Sequence, residues 1–357
     1  MIIREKTHAR IGLIGNPSDG FHGKTIACLI DNFAAEVTLW ETPVLTILPS
    51  PIFDPTTFDS LDELHETAGR DGYYGGLRLL FATCKKFAEF CEKAGIRLPR
   101  RNFTISYDTD IPRQVGLAGS SAIITSAIHA LMRFYGLCDD DIPRPMRANL
   151  ILSVETEELG ISAGLQDRVV QVYGGIVYMD FDAAYMAEHG HGRYEEMQLN
   201  WLPPLFIAYD PTPQESGKVH GDVRYRYERG DMQVRTAMRT FADYTDEARA
   251  ALKNRDFEAL GRLMNANFDL RRAIYGDAVI GARNLEMVAL ARRFGLPAKF
   301  TGSGGTIVGI CEDESLFARV QREFLDRRFV MMRAFPTLGC RAPFAEEQFV
   351  QVTAAPD

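Results

Sequence analysis

The sequence predicts an α+β fold in two halves, and three observations lead there. Apolar strand-like and helix-like stretches succeed one another without the regular β-α alternation of a doubly wound sheet. A long helix, apolar on nearly all sides, runs from Ser121 to Tyr135. A polar segment from about Asp182 to Pro204, containing Gly190 and Gly192 and ending in Pro203-Pro204, separates the halves, taken as residues 1–190 and 191–357.

The elements follow in order. ARIGLIG (9–15) and FTISY (103–107) alternate or run apolar as strands do. SAIITSAIHALMRFY (121–135) spans about four helical turns and stops at Gly136, the pattern of a buried helix. A second helix is expected around NLILSVETEELG, then a turn-rich ISAGLQD and a strand GGIVYMDF. Beyond the boundary LFIAYD reads as a strand, followed by helices over 232–253 and 256–275 and another near 284–294. A glycine turn TGSGG, a strand TIVGIC and a helix from EDESLF close the pattern, with no internal repeat or low-complexity tract.

The bulk properties narrow the function. With 357 residues, 46% hydrophobic and 25% charged, the chain can bury a sizeable core and has no compositional mark of disorder. A net charge of −8 offers no field for nucleic acid or anionic lipid, so a small molecule is the expected partner. The six cysteines are scattered, without C-x-x-C pairs or histidines at metal-ligand spacing, which argues against zinc and fits reduced thiols in a cytoplasm. The N-terminus mixes charges among its apolar residues and lacks the h-region of a signal peptide, and there is no apolar run of membrane-spanning length.

Residues 15–25, GNPSDGFHGKT, end like a P-loop. That loop needs a glycine, four spacer residues and then Gly-Lys-Thr, and Ser18 stands where the first glycine is required. A better phosphate cradle is PRQVGLAGSSA (112–122): Gly116 and Gly119 allow close backbone approach, and Ser120 and Ser121 open the buried helix, where free N–H groups attract an anion. By itself this is also the pattern of an ordinary capped loop. In VETEELGISAGLQDR the acids Glu155, Glu157 and Glu158 resemble a solvated helix face, whereas Asp167 is an acid set among apolar residues, where carboxylates seldom lie without a partner or a task. KFTGSGGTIVGI adds a glycine turn entering a strand, either a tight turn or a flap over a nucleotide.

The trio ARIGLIGNPSD, PRQVGLAGSSA and TGSGG, in this order, resembles the motifs of the GHMP kinase superfamily. Within it, GLIGNPSD, GYYGGLRLL, SYDTDIPRQVGLAGSSAI, LGISAGLQDRVVQVYGG, SGKVH and KFTGSGG are closely similar to the plant-type glucuronokinases, and the matches run from Arg10 to Gly305. The resemblance implies a ribosomal protein S5 domain 2-like N-terminal half and a ferredoxin-like C-terminal half. It implies ATP and Mg²⁺, with the ATP phosphates on Gly116, Leu117, Ala118, Gly119, Ser120, Ser121 and Ala122 and with Gly304 in the third motif. Ser121 and Glu155 would hold the metal, Glu155 lying five residues before Gly160 and twelve before Asp167; Glu157 and Glu158 remain alternatives. Asp167 would be the catalytic carboxylate, Arg10 the arginine near the transferred phosphate, and Asp19 an acceptor for a sugar hydroxyl.

The implied reaction is transfer of the ATP γ-phosphate to the anomeric hydroxyl of D-glucuronate. A uronate needs a partner for its carboxylate, which a planar guanidinium suits. Arg168 is the favoured candidate, with Arg78 and Lys24 as alternatives, and Tyr73 or Tyr74 could stack on the sugar. His220 in SGKVH either contacts nucleotide or substrate or makes a structural hydrogen bond, the latter being the favoured reading. The arginines 224, 226, 229, 235 and 239, interspersed with acids, read as a mixed-charge surface. Rival readings are a kinase for galactose, arabinose, galacturonate or a heptose, and a non-catalytic sugar sensor. A monomer or weak homodimer is expected.

Overall fold

The computed structural model describes residues 1–71, 75–211 and 221–339. Strand β1 (Ile2–Ile14) and the long strand β2 (Lys24–Glu41) make an antiparallel hairpin, with a single 3-10 turn, Ser18–Phe21, between them. The pairing shifts register between His8 and Ala9, and β2 serves different neighbours on either side of that bulge. Its first part, Lys24–Cys28, pairs with β5; its second, Ala35–Glu41, pairs with β4. Burial follows suit: Thr25–Ile30 are buried without a break, whereas Val37 and Leu39 alternate with outward-facing Glu36 and Thr38. This strand was not anticipated, because an unbroken apolar run followed by an alternating one shows neither period over its whole length.

Next come β3 (Thr46–Ile47), α1 (Leu61–Asp71), α2 (Gly76–Lys93), β4 (Phe103–Thr109), α3 (Gly119–Tyr135) and α4 (Arg144–Ser153). The last runs into a π turn, Val154–Glu158, and α5 (Leu165–Tyr173), β5 (Ile176–Asp180), α6 (Ala183–His189) and β6 (Arg193–Met197) follow. The sheet order is β3-β4-β2-β5-β6, with β1 also on β2. Helix α3 packs on β1 and β2 and is flanked by α2, α4 and α5, so burial on every side explains its all-round apolar sequence. The first sheet outruns the expected boundary at 190, since β6 pairs with β5. It was hidden because it is a charged edge strand: Arg193, Glu195 and Glu196 face out and only Met197 is buried.

The second sheet has the order β10-β7-β9-β8 and is antiparallel throughout. It is assembled from β7 (Leu205–Tyr209), α7 (Gly221–Glu228), α8 (Met232–Asn254), α9 (Phe257–Tyr275), α10 (Asp277–Ile280), α11 (Ala282–Arg293), β8 (Ala298–Phe300), β9 (Thr306–Ile310), α12 (Glu314–Asp326) and β10 (Val330–Arg333). In β7, Leu205, Ile207 and Tyr209 enter one core and Phe206 and Ala208 the other, the period of a strand buried on both faces. Helix α8 starts at Asp231, whose carboxylate caps Gln233 and Val234, and buries Val234, Met238, Phe241, Thr245, Ala248 and Leu252 at helical spacing. It lies against β2 of the first sheet, while α9 touches both β1 and β8. This helix pair brings the first and third glycine motifs together.

Candidate active site

The centre of the site is the end of β1. Arg10 projects from it, buried, and donates from Nε to Asp167 Oδ1 at 2.5 Å and from Nη1 to Gly116 O at 2.8 Å and Thr301 O at 3.3 Å. One guanidinium thus joins the first turn of α5, the loop before α3 and the turn after β8. A backbone bond from Arg10 N–H to Leu117 O at 3.2 Å seats the same loop on β1. Gln171 of α5 donates to Ala118 O at 3.1 Å.

The loop before α3 is shaped by Gly116 at φ +79° and by Ala118, a non-glycine residue at φ +65°. The first bond of the helix ladder runs from Ala122 N–H to Ala118 O at 3.1 Å, so the N–H groups of Gly119, Ser120 and Ser121 precede the ladder and point out of the helix start. Ala122, expected among the phosphate-binding positions, has its N–H engaged there and is wholly buried. Across the loop lies Gly304: a Cβ on Gly116 would come within 2.5 Å of Gly304 O. Arg271 of α9 holds this third turn from behind, donating to Gly302 O at 2.7 Å and Ser303 O at 2.9 Å.

Three acids meet here. Of the three neighbouring glutamates only Glu155 enters the site; it is buried, accepts from Ser120 Oγ at 2.8 Å and pairs with Arg168. Glu157 and Glu158 turn outward to Lys86 and Lys85. Ser121, expected beside Glu155, instead donates to Ala118 O at 3.2 Å. The two serines are about 100° apart on the helix, and only the first faces α5 and the π turn. Glu155 Oε1 and Ser120 Oγ are hard oxygen donors, the chemistry that suits a small divalent cation such as Mg²⁺.

Asp19 stands in the turn between β1 and β2, close against the start of α5; a Cβ on Gly164 would fall 2.6 Å from its Oδ2. Burial, reinforced by the charge of Asp167 and opposed by Arg10, raises the Asp19 carboxyl to about 6. Arg168 departs from expectation. It is buried, with Nη1 donating to Gly164 O at 2.9 Å and Asp167 Oδ2 at 3.2 Å while Nη2 pairs with Glu155. Both terminal nitrogens are engaged by the protein's own oxygens and only the buried Nε is left without a hydrogen-bond partner, so it braces the site from within. Of the alternatives, Lys24 is ion-paired with Asp246 at 2.6 Å. Tyr73, Tyr74 and His220 lie outside the described residues.

Sequence reasoning missed the residues beneath the Asp19 turn. Asn267 of α9 accepts from Gly15 N–H at 2.8 Å and donates to Asn16 O at 3.1 Å. Lys299 of β8, completely buried, donates to Gly12 O at 3.0 Å, Phe300 O at 2.5 Å and Asn16 Oδ1 at 2.5 Å. Lysines are seldom buried, and one directly before a glycine motif, in KFTGSGG, was the available signal.

With two glycine loops, a helix start and a half-buried carboxylate converging on one arginine, the arrangement is that of a small-molecule phosphotransferase. Residues 79–175 match the model for the GHMP kinases N terminal domain and residues 248–330 that for the GHMP kinases C terminal domain. The chain belongs to the GHMP kinase family. It is 48% identical over 311 residues to Glucuronokinase 1 of Arabidopsis thaliana, covering 87% of this chain and 85% of that protein. A mevalonate kinase of Thermococcus sibiricus is 27% identical over 213 residues, 58% of each chain. The solved galactokinase of Lactococcus lactis complexed with galactose superimposes with a TM-score of 0.73 at 14% identity, covering 95% of this chain and 94% of that one, which shows the shared fold. Among the described residues no helix is long and apolar enough to cross a membrane.

Proposed function

We propose that the chain is an ATP-dependent glucuronokinase, forming D-glucuronate 1-phosphate and ADP. The observation that carries this reading is the near-half identity to a glucuronokinase over 87% of this chain and 85% of that protein. In the reaction the anomeric oxygen forms a bond to the γ-phosphorus as the bond from that phosphorus to the β-bridging oxygen breaks. The hydroxyl proton passes to Asp167, whose carboxylate is held in place by Arg10 and Arg168.

Charge on the phosphates is met by the N–H groups of Gly119, Ser120 and Ser121 at the start of α3 and by Arg10. Glu155 and Ser120 are the residues that would hold Mg²⁺, which when bound neutralises charge on the phosphates. Asp19 accepts from a sugar hydroxyl and, with Asn16 beside it, orients the ring. The same reading has the enzyme acting on ATP and sugar in a reducing cytoplasm as a monomer or weak homodimer.

The test is ADP release by the purified protein with Mg-ATP across glucuronate, galacturonate, glucose, galactose and arabinose, with Asp167→Asn alongside. Turnover on glucuronate that Asp167→Asn removes is the expected result. Turnover on a neutral sugar in its place, with none on glucuronate, would overturn the assignment of substrate.

A further inference from the structure

Four buried cations surround the turn that carries Asp19, and two of them already have carboxylate partners. Arg10 pairs with Asp167 and Arg168 with Glu155. Arg271 and Lys299 meet only neutral acceptors among the described residues: Arg271 the carbonyls of Gly302 and Ser303, Lys299 the carbonyls of Gly12 and Phe300 and the side-chain oxygen of Asn16. Among the described residues, Asp19 is the carboxylate electrostatically coupled to this pair. The four buried cations Arg10, Arg168, Arg271 and Lys299 thus face, among the described residues, three carboxylates, buried Glu155 and the half-buried Asp19 and Asp167, one fewer than their own number. A buried ammonium without a counter-ion is expensive, and burial followed by repulsion from Arg271 and Arg10 holds the Lys299 ammonium well below the usual lysine range.

The contact with Asn16 has a second consequence. Three oxygens, those of Gly12, Phe300 and the Asn16 side chain, stand 2.5–3.0 Å from Nζ, one for each N–H of an ammonium despite the cost of burying it, so the oxygen end of the Asn16 amide faces the lysine. The NH₂ end is turned the other way, giving one N–H to Gly302 O at 3.3 Å and keeping a second. An N–H can be accepted by a hydroxyl or by a carboxylate oxygen, and the bond to the charged carboxylate is the stronger.

We propose that Lys299 is a positioning residue that sets the charge preference of the sugar site: it orients Asn16 as a donor, and the positive charge it adds is balanced by the carboxylate of a bound uronic acid. This rests on the glucuronate reading above and names the residues behind it. The carboxylate is recognised from beneath the Asp19 turn, through Asn16, and not by the fork of Arg168. The exposed Arg224 at the rim, which donates to Gly20 O at 3.2 Å, has no part in the preference.

The experiment compares binding of glucuronate with that of glucuronamide, which has the same shape and no charge, by calorimetry on the full chain. Wild type is expected to bind glucuronate more tightly by roughly ten- to a hundredfold, the effect of a charged hydrogen-bonding partner. Lys299→Met, close in length and uncharged, is expected to bring that ratio near one, whereas a purely structural lysine would weaken both ligands alike and keep the ratio. Asn16→Asp, which leaves Lys299 in place and gives it a carboxylate of the protein's own, is expected to lose the preference as well and covers the case in which Lys299→Met does not fold. An unchanged ratio in either folded variant overturns the proposal, as does loss of the preference in Arg224→Gln. If wild type binds both sugars equally, this inference fails while the kinase reading stands. If wild type neither binds nor turns over glucuronate, the substrate reading fails and this inference with it.

Discussion

Gly116→Ala and Gly136→Ala form a matched pair that separates the strain of a left-handed residue from damage to the phosphate loop. Both glycines sit in nearly the same backbone conformation, φ +79° and φ +71°. An alanine in that region costs about 1–2 kcal/mol, and at Gly136, where a Cβ meets nothing within 4 Å, this is the whole effect. At Gly116 the new methyl would sit 2.5 Å from Gly304 O, closer than the ordinary carbon–oxygen contact of about 3.3–3.6 Å by about 1 Å. Neither side yields easily, because Gly116 O is held by Arg10 and Thr301 while the Gly304 turn is held by Arg271. The third motif must therefore move off the loop by about 1 Å, and a displacement of that size in a positioning element costs on the order of 100-fold in rate. Denaturant unfolding should show both variants destabilised, Gly116→Ala more so. The kinetics should differ sharply: kcat/KM from ADP release falls by roughly 100-fold in Gly116→Ala and stays near wild type in Gly136→Ala. A Gly116→Ala enzyme as active as Gly136→Ala would refute the view that the two glycine motifs close on one another to form the nucleotide site.

Asp19 gives a pH prediction in which stability and activity run in opposite senses. Its carboxyl is raised in the fold from 3.8 to about 6, so the folded state keeps a proton that the unfolded chain has released; stability falls as pH rises from about 4 to about 6 and is level above. Asp19→Asn should thus gain thermal stability over wild type through that window and keep the gain at neutral pH while losing activity, and wild-type kcat/KM should climb through about pH 6 as the acceptor ionises. Glu155→Gln removes one partner of a buried ion pair, which typically costs about 3–5 kcal/mol, and should also raise the Mg²⁺ concentration for half-maximal rate. Glu157→Gln, which neutralises an exposed carboxylate on the buried Lys86 while Glu89 still stands 3.4 Å from that ammonium, should change unfolding by less than about 1 kcal/mol and leave the metal requirement alone. In a Mg²⁺ titration Ser120→Ala should raise the requirement more than Ser121→Ala, because Ser120 is the hydroxyl that shares Glu155.

What the sequence disclosed and what it withheld divide along the range of the interactions. Local signals carried the helix α3, its stop at Gly136 and the glycine loop in front of it, since these depend on residues a few positions apart. They also carried Asp167, because an acid in an apolar run is conspicuous without knowing its neighbours. Choosing between Ser120 and Ser121, or among Glu155, Glu157 and Glu158, needs the rotation of α3 against the π turn, and that is decided by packing with α5 and α2. The surroundings of Arg168 were hidden for the same reason: its guanidinium turns to Asp167 and to Glu155, a pairing that only the approach of the π turn to α5 creates. Lys299 and Arg271 were the least legible. Each acts at a separation no local pattern spans, Lys299 reaching Asn16 across 283 positions. Each also contacts chiefly backbone oxygens, which leave no mark on the partner's side-chain identity. The carboxylate proposed as catalytic and the loop proposed to cradle phosphate therefore stand out as motifs, whereas the groups to which charge selection is assigned here emerge only once β1, α9 and β8 are laid against one another.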